Sequence, residues 1–448
     1  MAFLSKLAYA LDMQILTTNC YETIHTWEPD CYKAILVATP NGFWVSLRTY
    51  LTFYTLTTLI SKRGDVRKVD WKRFFVDVMR SSIFLTANLL LFQYFICRAR
   101  HLLGFFTVPT MGCLTSMMAS LCAILIEKNS RRPALALYTT NLASETLYRQ
   151  LRNHGYLFSV KYGECVPFAV GLGIFMYLRA RGNLDPTVKK VLNFSHCAAP
   201  DEDIVNASKL PDDFHAMLDK LRHGFGRTSK CEHKYSCASA ATESFAKNFA
   251  IGAGISAILA LLRNLRHLFA NPLTIAKVLL SKENLKLPLF FGLLPLLFHV
   301  TRCATNRLGG SSTEFSNAAA GVVSAASMAL YPNVTIAMYT LWKAIEAVYC
   351  NAVEAGYLPV IPHWDTILYT ISTGYVLWQT VVEPQAVRKG YLGFLKQITG
   401  DRFRLFNRDL YEHFGFQSKL LYPDVKLVLN TKYVTLNPML YQKIRPPC

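Results

Sequence analysis

Two short segments contain cysteine and histidine, the residue types that bind transition metals in proteins. Their spacings are C-x4-H-x5-C for Cys20, His25 and Cys31, and C-x-H-x3-C for Cys231, His233 and Cys237. Four of these six side chains would satisfy the tetrahedral coordination of a structural zinc ion. Neither segment has the paired C-x2-C knuckle of common zinc motifs, so reduced or occasionally disulfide-bonded cysteines are the alternative interpretation.

Two glutamates lie in apolar segments, where a charged side chain is costly unless it has a partner. Glu145 is followed by Arg149 four residues later, and Glu346 is preceded by Lys343 three residues earlier. Both spacings place the two charges on one face of a helix. We interpret both as neutralised structural pairs that face inward, and a proton or substrate site is the alternative.

Common catalytic signatures are absent from the sequence, including the G-x-S-x-G elbow, the P-loop, H-E-x-x-H and the dinucleotide fingerprint. His363 and Asp365 flank Trp364 in a pattern superficially like an acyltransferase dyad, but the longer catalytic context is missing. We therefore predict a non-enzymatic protein without catalytic or cofactor-binding residues, apart from the candidate zinc ligands.

The composition is that of a membrane protein. Hydrophobic residues make up 52% of the 448 residues, charged residues 17%, and the mean hydropathy is +0.22. Soluble domains of this size are less apolar. The formal net charge is +19, but lysine and arginine stand in short runs between apolar segments. Such runs fit loops that contact anionic headgroups, so we predict the lipid bilayer as a partner and no nucleic acid.

Ten apolar segments form two sets of five. The first set covers about 41–61, 74–97, 105–126, 134–152 and 163–179, and the second about 245–262, 285–302, 315–331, 333–350 and 364–382. A bilayer-spanning helix needs roughly 20 apolar residues. We therefore predict an all-α, multi-pass transmembrane bundle of about ten hydrophobic helices, although the shorter segments leave the number of crossings open.

This pattern divides the chain into five regions. They are a Cys/His-containing N-terminal segment (1–40), a first membrane repeat (41–179), a polar central loop with its Cys/His segment (180–244), a second membrane repeat (245–382) and a basic, aromatic tail (383–448). The basic and aromatic composition of the tail favours a helix on the surface of an anionic membrane over a solvated segment.

The two membrane repeats match each other at a shift of about 201 positions, which indicates an internal duplication. Glu145 matches Glu346, and the turn 155–157 (Gly-Tyr-Leu) matches the turn 356–358 of the same sequence. If all five segments of a half span the membrane, the second half is inverted relative to the first. Inverted repeats are typical of transporters and also occur in scaffold proteins.

Small residues recur at every fourth position in equivalent segments of the two repeats. These residues are Gly112, Ser116 and Ser120 in the first, and Gly321, Ala325 and Ala329 in the second. Helix backbones approach closely along such stripes. We predict that the stripes pack helices together within this chain.

Several segments of the sequence closely resemble the transmembrane protein 135 family. They are Asn19 to Cys31, Ala123 to Arg132, Asn141 to Leu147, Ser281 to Asn284, and Glu354 to Ile367 with Pro362-His363 inside it. The resemblance extends over nearly the whole chain. The glycine- and alanine-rich repeats are also distantly similar to the mitochondrial inner-membrane translocase family.

The resemblance implies a protein of the peroxisomal and/or mitochondrial membrane that takes part in mitochondrial fission and in lipid or cholesterol handling. It implies lipids or a sterol and organelle-dynamics proteins as partners, and it supplies no catalytic residues. The expected inverted repeats leave a transporter or lipid-translocating channel as the alternative function. The oligomeric state stays open.

Overall fold

The computed structural model describes residues 14–435 except 63, 159, 197–219, 221, 224–232, 234–235, 264–280, 309–312 and 426. Within these residues the chain forms 13 α-helices and no β-strand, so the prediction of an all-α fold is confirmed. Helices occupy each of the ten apolar segments. A single isolated β-bridge joins Leu16 to Phe106.

The helices are numbered here in chain order. They are α1 (Cys20–Thr23), α2 (Cys31–Ser61), α3 (Trp71–Leu103), α4 (Leu114–Ile124), α5 (Arg132–Asn153), α6 (Cys165–Arg181), α7 (Pro186–His196), α8 (Cys237–Arg263), α9 (Lys282–Leu308), α10 (Thr313–Ser324), α11 (Val334–Glu354), α12 (Trp364–Val382) and α13 (Lys389–Thr399).

Local sequence explains where several helices begin and end. The side chain of Asp70 accepts a hydrogen bond from the Arg73 amide at the start of α3, and Gly104 ends that helix with a φ of 84°. Asn333 caps α11 in the same way. The two Gly-Tyr-Leu turns of the repeats are alike, since Gly155 and Gly356 have φ values of 79° and 78°. Glycine adopts this left-handed conformation without the steric penalty of a Cβ.

Among the residues that the structure describes, three helices are long and apolar enough to cross a bilayer, namely α3, α9 and residues Cys237–Leu261 of α8. A shorter apolar helical stretch covers Pro109–Ile124. Large apolar side chains also face outward from α2, where Leu36 and Trp44 are 67% and 65% exposed. These features define a membrane protein, while the count of about ten crossings and the inversion of the repeats stay predictions.

The chain forms two compact units. Unit 1 comprises Met1–Phe158 and Ile361–Cys448, and unit 2 comprises Ser159–Val360. In unit 1, α3 packs against α2 and α4, and α12 packs against α4 and α5. In unit 2, α9 packs against α8 and α10, and α6 packs against α10 and α11. The order of helix contacts is therefore the same in both units.

The last helix of each repeat belongs to the unit built around the other repeat. Helix α6 closes the first repeat in sequence but packs on α10 and α11, whereas α12 closes the second repeat but packs on α4 and α5. The compact units therefore do not coincide with the sequence repeats. Each unit is completed by a helix from the opposite half of the chain.

Small residues make this exchange sterically feasible. In unit 1, a Cβ added to Gly112 would lie 2.8 Å from Cδ1 of Trp378, and the Ser116 hydroxyl donates a hydrogen bond to the carbonyl oxygen of Gly374 (2.7 Å). In unit 2, a Cβ on Gly321 would lie 2.9 Å from the carbonyl oxygen of Leu172. The first stripe thus faces α12 and the second faces α6, the two helices that join the unit of the other repeat.

The other stripe residues show how far each face extends. Ser120 is fully buried beside the packed face of α4, and Ala325 is buried in the same apolar cluster as Leu172. Ala329 is half-buried, at the end of the stripe. The stripe of the second repeat is therefore packed as far as Ala325 and only partly covered at Ala329.

The described part of the C-terminal tail, residues 383–435 except 426, packs into unit 1. Helix α13 buries Leu392, Leu395 and Ile398, and Tyr411 is buried in a cluster that includes residues of α1 and α3. Arg408 is also buried, donates to the carbonyl oxygen of Val381 (2.7 Å), and has its pKa lowered to about 10 by desolvation. This differs from the surface helix expected from composition, because an amphipathic basic helix fits a protein groove as well as a lipid surface.

We expect Gly321→Ala to destabilise the protein by about 1–3 kcal/mol, because the new methyl group would overlap the backbone of α6. Gly254→Ala in α8 is the control, since a Cβ there meets nothing within 4 Å. That substitution should be neutral or stabilise by about 0.5–1 kcal/mol through reduced chain entropy. Thermal unfolding of the detergent-solubilised chain measures both, and equal midpoints would contradict the packing role of Gly321.

Candidate functional site

Unit 1 contains a large cavity walled by five helices. Its volume is about 810 Å³. The walls come from α2, α3, α5, α12 and α13, and most of the lining side chains are aliphatic or aromatic. Binding pockets for organic ligands are commonly about 300–1,000 Å³ and mainly apolar. The cavity is therefore of the size and character that hold an apolar small molecule.

Helix α12 supplies one wall of this cavity, so the site depends on the exchanged helix. Tyr369, Thr373 and Leu377 lie on this wall. The Asn88 side chain of α3 donates a hydrogen bond to the Tyr369 hydroxyl (3.1 Å). The polar groups of this wall are thus held in fixed positions by contacts between helices.

Arg131 places a cation at the cavity. Its guanidinium lies 5.3 Å from the ring centroid of Tyr50 and 4.9 Å from that of Tyr54, and it donates to the Tyr54 hydroxyl (2.6 Å). Its nearest carboxylate is Glu127, at 3.3 Å. Aromatic faces stabilise a guanidinium by cation–π attraction. Arg131 is therefore positioned to meet a polar or anionic group of a bound molecule.

Arg388 also lines the cavity and connects it to the Glu145 charge pair. Glu145 is 4% exposed and accepts hydrogen bonds from Arg149 (2.6 Å) and from Nε of Arg388 (2.8 Å). The four-residue spacing in the sequence indicated Arg149 as a partner of Glu145, but no sequence pattern indicated Arg388. A basic residue far along the chain is brought to the buried carboxylate only by the packing of α13 and α12 beside α5.

Glu346 has the partner that its spacing suggests. Its carboxylate lies 2.5 Å from Nζ of Lys343, and its side chain is 19% exposed. The equivalent carboxylates of the two repeats thus differ in environment. Glu145 is buried between two arginines, and Glu346 is half-buried beside one lysine.

The first Cys/His segment forms a four-residue cluster with a cysteine from α3. The Sγ atoms of Cys20, Cys31 and Cys97 and a ring nitrogen of His25 all lie within 4.8 Å of one another. Nε2 of His25 is 3.3 Å from Sγ of Cys31. Hydrogen bonding with Cys20 lowers the pKa of the Cys31 thiol well below its usual range, and the same contact raises the pKa of Cys20 to about 12.

The second Cys/His segment behaves in the same way in unit 2. His233, Cys237 and Cys303 have ligand atoms within 4.8 Å of one another, with Nε2 of His233 3.4 Å from Sγ of Cys303. Cys231 lies outside the described residues. Sequence reasoning missed Cys97 and Cys303, although one signal was present. The same number of residues separates Cys31 from Cys97 as separates Cys237 from Cys303.

The fold and the apolar cavity define the chain as a multi-helix membrane protein with a candidate site for an apolar ligand. Residues 17–151 match the family model of the N-terminal cysteine-rich region of Transmembrane protein 135. This match covers 135 of the 448 residues and supports the resemblance to that family that the sequence motifs indicate. No solved structure matches the chain.

We expect Glu145→Gln to destabilise the protein by on the order of 2–3 kcal/mol, because it leaves Arg149 and Arg388 without their shared carboxylate. Glu346→Gln is the matched control at the equivalent position of the second repeat. Its loss should be below about 1 kcal/mol, since the pair is partly hydrated.

The yield of monodisperse membrane-extracted protein and its thermal midpoint measure this difference. Equal losses in the two variants would show that burial of Glu145 between two arginines has no special stabilising effect.

Proposed function

We propose that this chain is a non-enzymatic protein of the peroxisomal and/or mitochondrial membrane that binds a lipid or sterol in the cavity of unit 1. Through this binding it takes part in lipid or cholesterol handling and in mitochondrial fission. The observation that carries the proposal is the apolar cavity of about 810 Å³ between α2, α3, α5, α12 and α13.

The cavity lining supports an amphipathic ligand. Its aromatic and aliphatic walls favour the apolar body of such a molecule, because transfer of apolar surface out of water is favourable. Arg131 and the hydrogen-bonded Asn88 and Tyr369 offer polar contacts to a headgroup or hydroxyl. A lipid or sterol has both parts in one molecule.

The charge pairs favour lipid binding over ion-coupled transport. Proton-coupled transporters use intramembrane carboxylates that exchange protons during the cycle. Here Glu145 is held by Arg149 and Arg388, and Glu346 by Lys343. These ion pairs suit a structural role for both glutamates.

The resemblance to the transmembrane protein 135 family supports the proposed location. The family match over residues 17–151 agrees with a membrane protein, and the resemblance implies peroxisomes and mitochondria. Fractionation of cells that express the tagged full chain tests this part. Recovery only in plasma-membrane or endoplasmic-reticulum fractions would overturn it.

Filling the cavity should prevent ligand binding. We expect Gly390→Phe to reduce labelling by a photoreactive sterol or phospholipid at least several-fold, because Gly390 lines the cavity and a Cβ there meets nothing within 4 Å. The added ring has room to enter the cavity without clashing with the backbone. Labelling of the purified full chain in nanodiscs, followed by peptide mass spectrometry, measures the change.

Gly393→Phe is the matched control on the same helix. A Cβ on Gly393 also meets nothing within 4 Å, but this residue is not among those that line the cavity. Labelling should persist in this variant and map to peptides of α2, α3, α5, α12 or α13. Equal labelling of both variants, or labelled peptides confined to other helices, would contradict the lipid site.

A further inference from the structure

We propose that Cys20, His25, Cys31 and Cys97 bind a structural zinc ion, and that His233, Cys237 and Cys303 form an equivalent zinc site in unit 2. Three thiols and one imidazole are a common donor set for structural zinc. The first site joins α1, the start of α2 and the C-terminal part of α3.

The spacing of the donor atoms fits tetrahedral zinc. With Zn–S near 2.3 Å and Zn–N near 2.0 Å, tetrahedral ligand atoms lie about 3.5–3.8 Å apart. All four atoms of the first cluster lie within 4.8 Å of one another, and His25 Nε2 is 3.3 Å from Cys31 Sγ. Since tetrahedral spacing is shorter than this limit by about 1 Å, changes of up to about 1 Å in the donor separations would bring all four atoms to bonding distance.

The imidazole of His25 is oriented as a metal ligand. Its Nδ1 lies 2.7 Å from the carbonyl oxygen of Glu28, a contact in which Nδ1 donates its proton. The lone pair of Nε2 then points toward the thiols. Zinc-binding histidines usually have their second ring nitrogen fixed by such a carbonyl or carboxylate.

Burial and charge also suit a closed structural site. Cys20, His25 and Cys97 are buried, with His25 completely inaccessible. Zinc with three thiolates carries a net negative charge, and Arg100 lies three residues after Cys97 on α3 and donates to the carbonyl oxygens of Thr17 and Thr18, just before Cys20. Near the second cluster, Arg307 donates to Sγ of Cys237 (3.7 Å).

Duplication argues against a chance meeting of buried thiols. In each unit, a cysteine at the first residue of a repeat's first long helix meets a cysteine near the end of the next helix, with a histidine beside them. The two pairs have equal sequence separation. Apolar packing alone does not require cysteine at either place, whereas a metal requires both.

The first site would stabilise the loop that contacts residues 405–411 of the C-terminal tail. The carbonyl oxygen of Thr23 accepts hydrogen bonds from the Asn407 amide (3.1 Å) and the Tyr411 hydroxyl (3.1 Å). The Thr26 hydroxyl donates to the Leu405 carbonyl oxygen (2.7 Å). Both threonines lie between Cys20 and Cys31, so zinc would fix the loop that carries these contacts.

The metal content of the purified full-length chain tests the proposal. We expect about two zinc equivalents per chain by elemental mass spectrometry, given one proposed zinc site in each unit. Cys97→Ser and Cys303→Ser should each lower the content by about one equivalent. Cys113→Ser, at a half-buried cysteine outside both clusters, is the control and should keep the full content.

The unmodified chain provides a second measurement if a variant fails to fold. Growth with Co²⁺ in place of zinc should give the visible absorption bands of tetrahedral cobalt thiolate. Chelation should make Cys20 and Cys31 reactive to maleimide and make residues 402–425 sensitive to trypsin. Substoichiometric metal in the folded chain, or a disulfide between Cys20 and Cys31, would overturn the proposal.

Discussion

Close backbone contact along small residues is the constraint on which both compact units depend. Helix α12 reaches α4 only because Gly112 and Gly374 present no side chain there, and α6 reaches α10 only because Gly321 presents none. In a membrane the hydrophobic effect contributes little to helix association, so such close packing must supply the attraction. Ser116 adds a hydrogen bond at the same contact in unit 1. The apolar cavity of unit 1 follows from this packing, because α12 forms one of its walls.

Several of the arginines that make the chain strongly basic have their partners inside the protein. Arg388 neutralises Glu145, and Arg408 is buried against the backbone and the ring of Phe403. Arg131 is surrounded by tyrosines at the cavity. These arginines stabilise specific contacts within unit 1, so the net charge of +19 is not a measure of the charge available to lipid headgroups. Guanidinium groups suit this use because they remain charged when partly buried.

The proposed zinc site and the proposed lipid cavity lie in the same unit and rest on separate observations. A zinc ion at the first cluster would fix the loop between α1 and α2, whereas the cavity is bordered by α2, α3, α5, α12 and α13. Helix α3 takes part in both, since it carries Cys97 as well as Phe84 and Asn88. A closed metal site at one end of α3 would limit movement of a helix that also lines the ligand cavity.

Residue patterns in the sequence predicted the all-α class and the positions of the helices, and they indicated an internal duplication and a resemblance to the transmembrane protein 135 family. These properties depend on the composition and hydrophobic periodicity of short segments, which largely determine local secondary structure. The sequence also indicated Arg149 and Lys343 as partners of the glutamates, because helical spacing fixes such neighbours. Helix packing was needed to establish that α6 and α12 each join the unit of the other repeat, that Cys97 and Cys303 complete the thiol clusters, and that Arg388 reaches Glu145. These contacts join residues far apart in the chain, and their geometry depends on how whole helices pack.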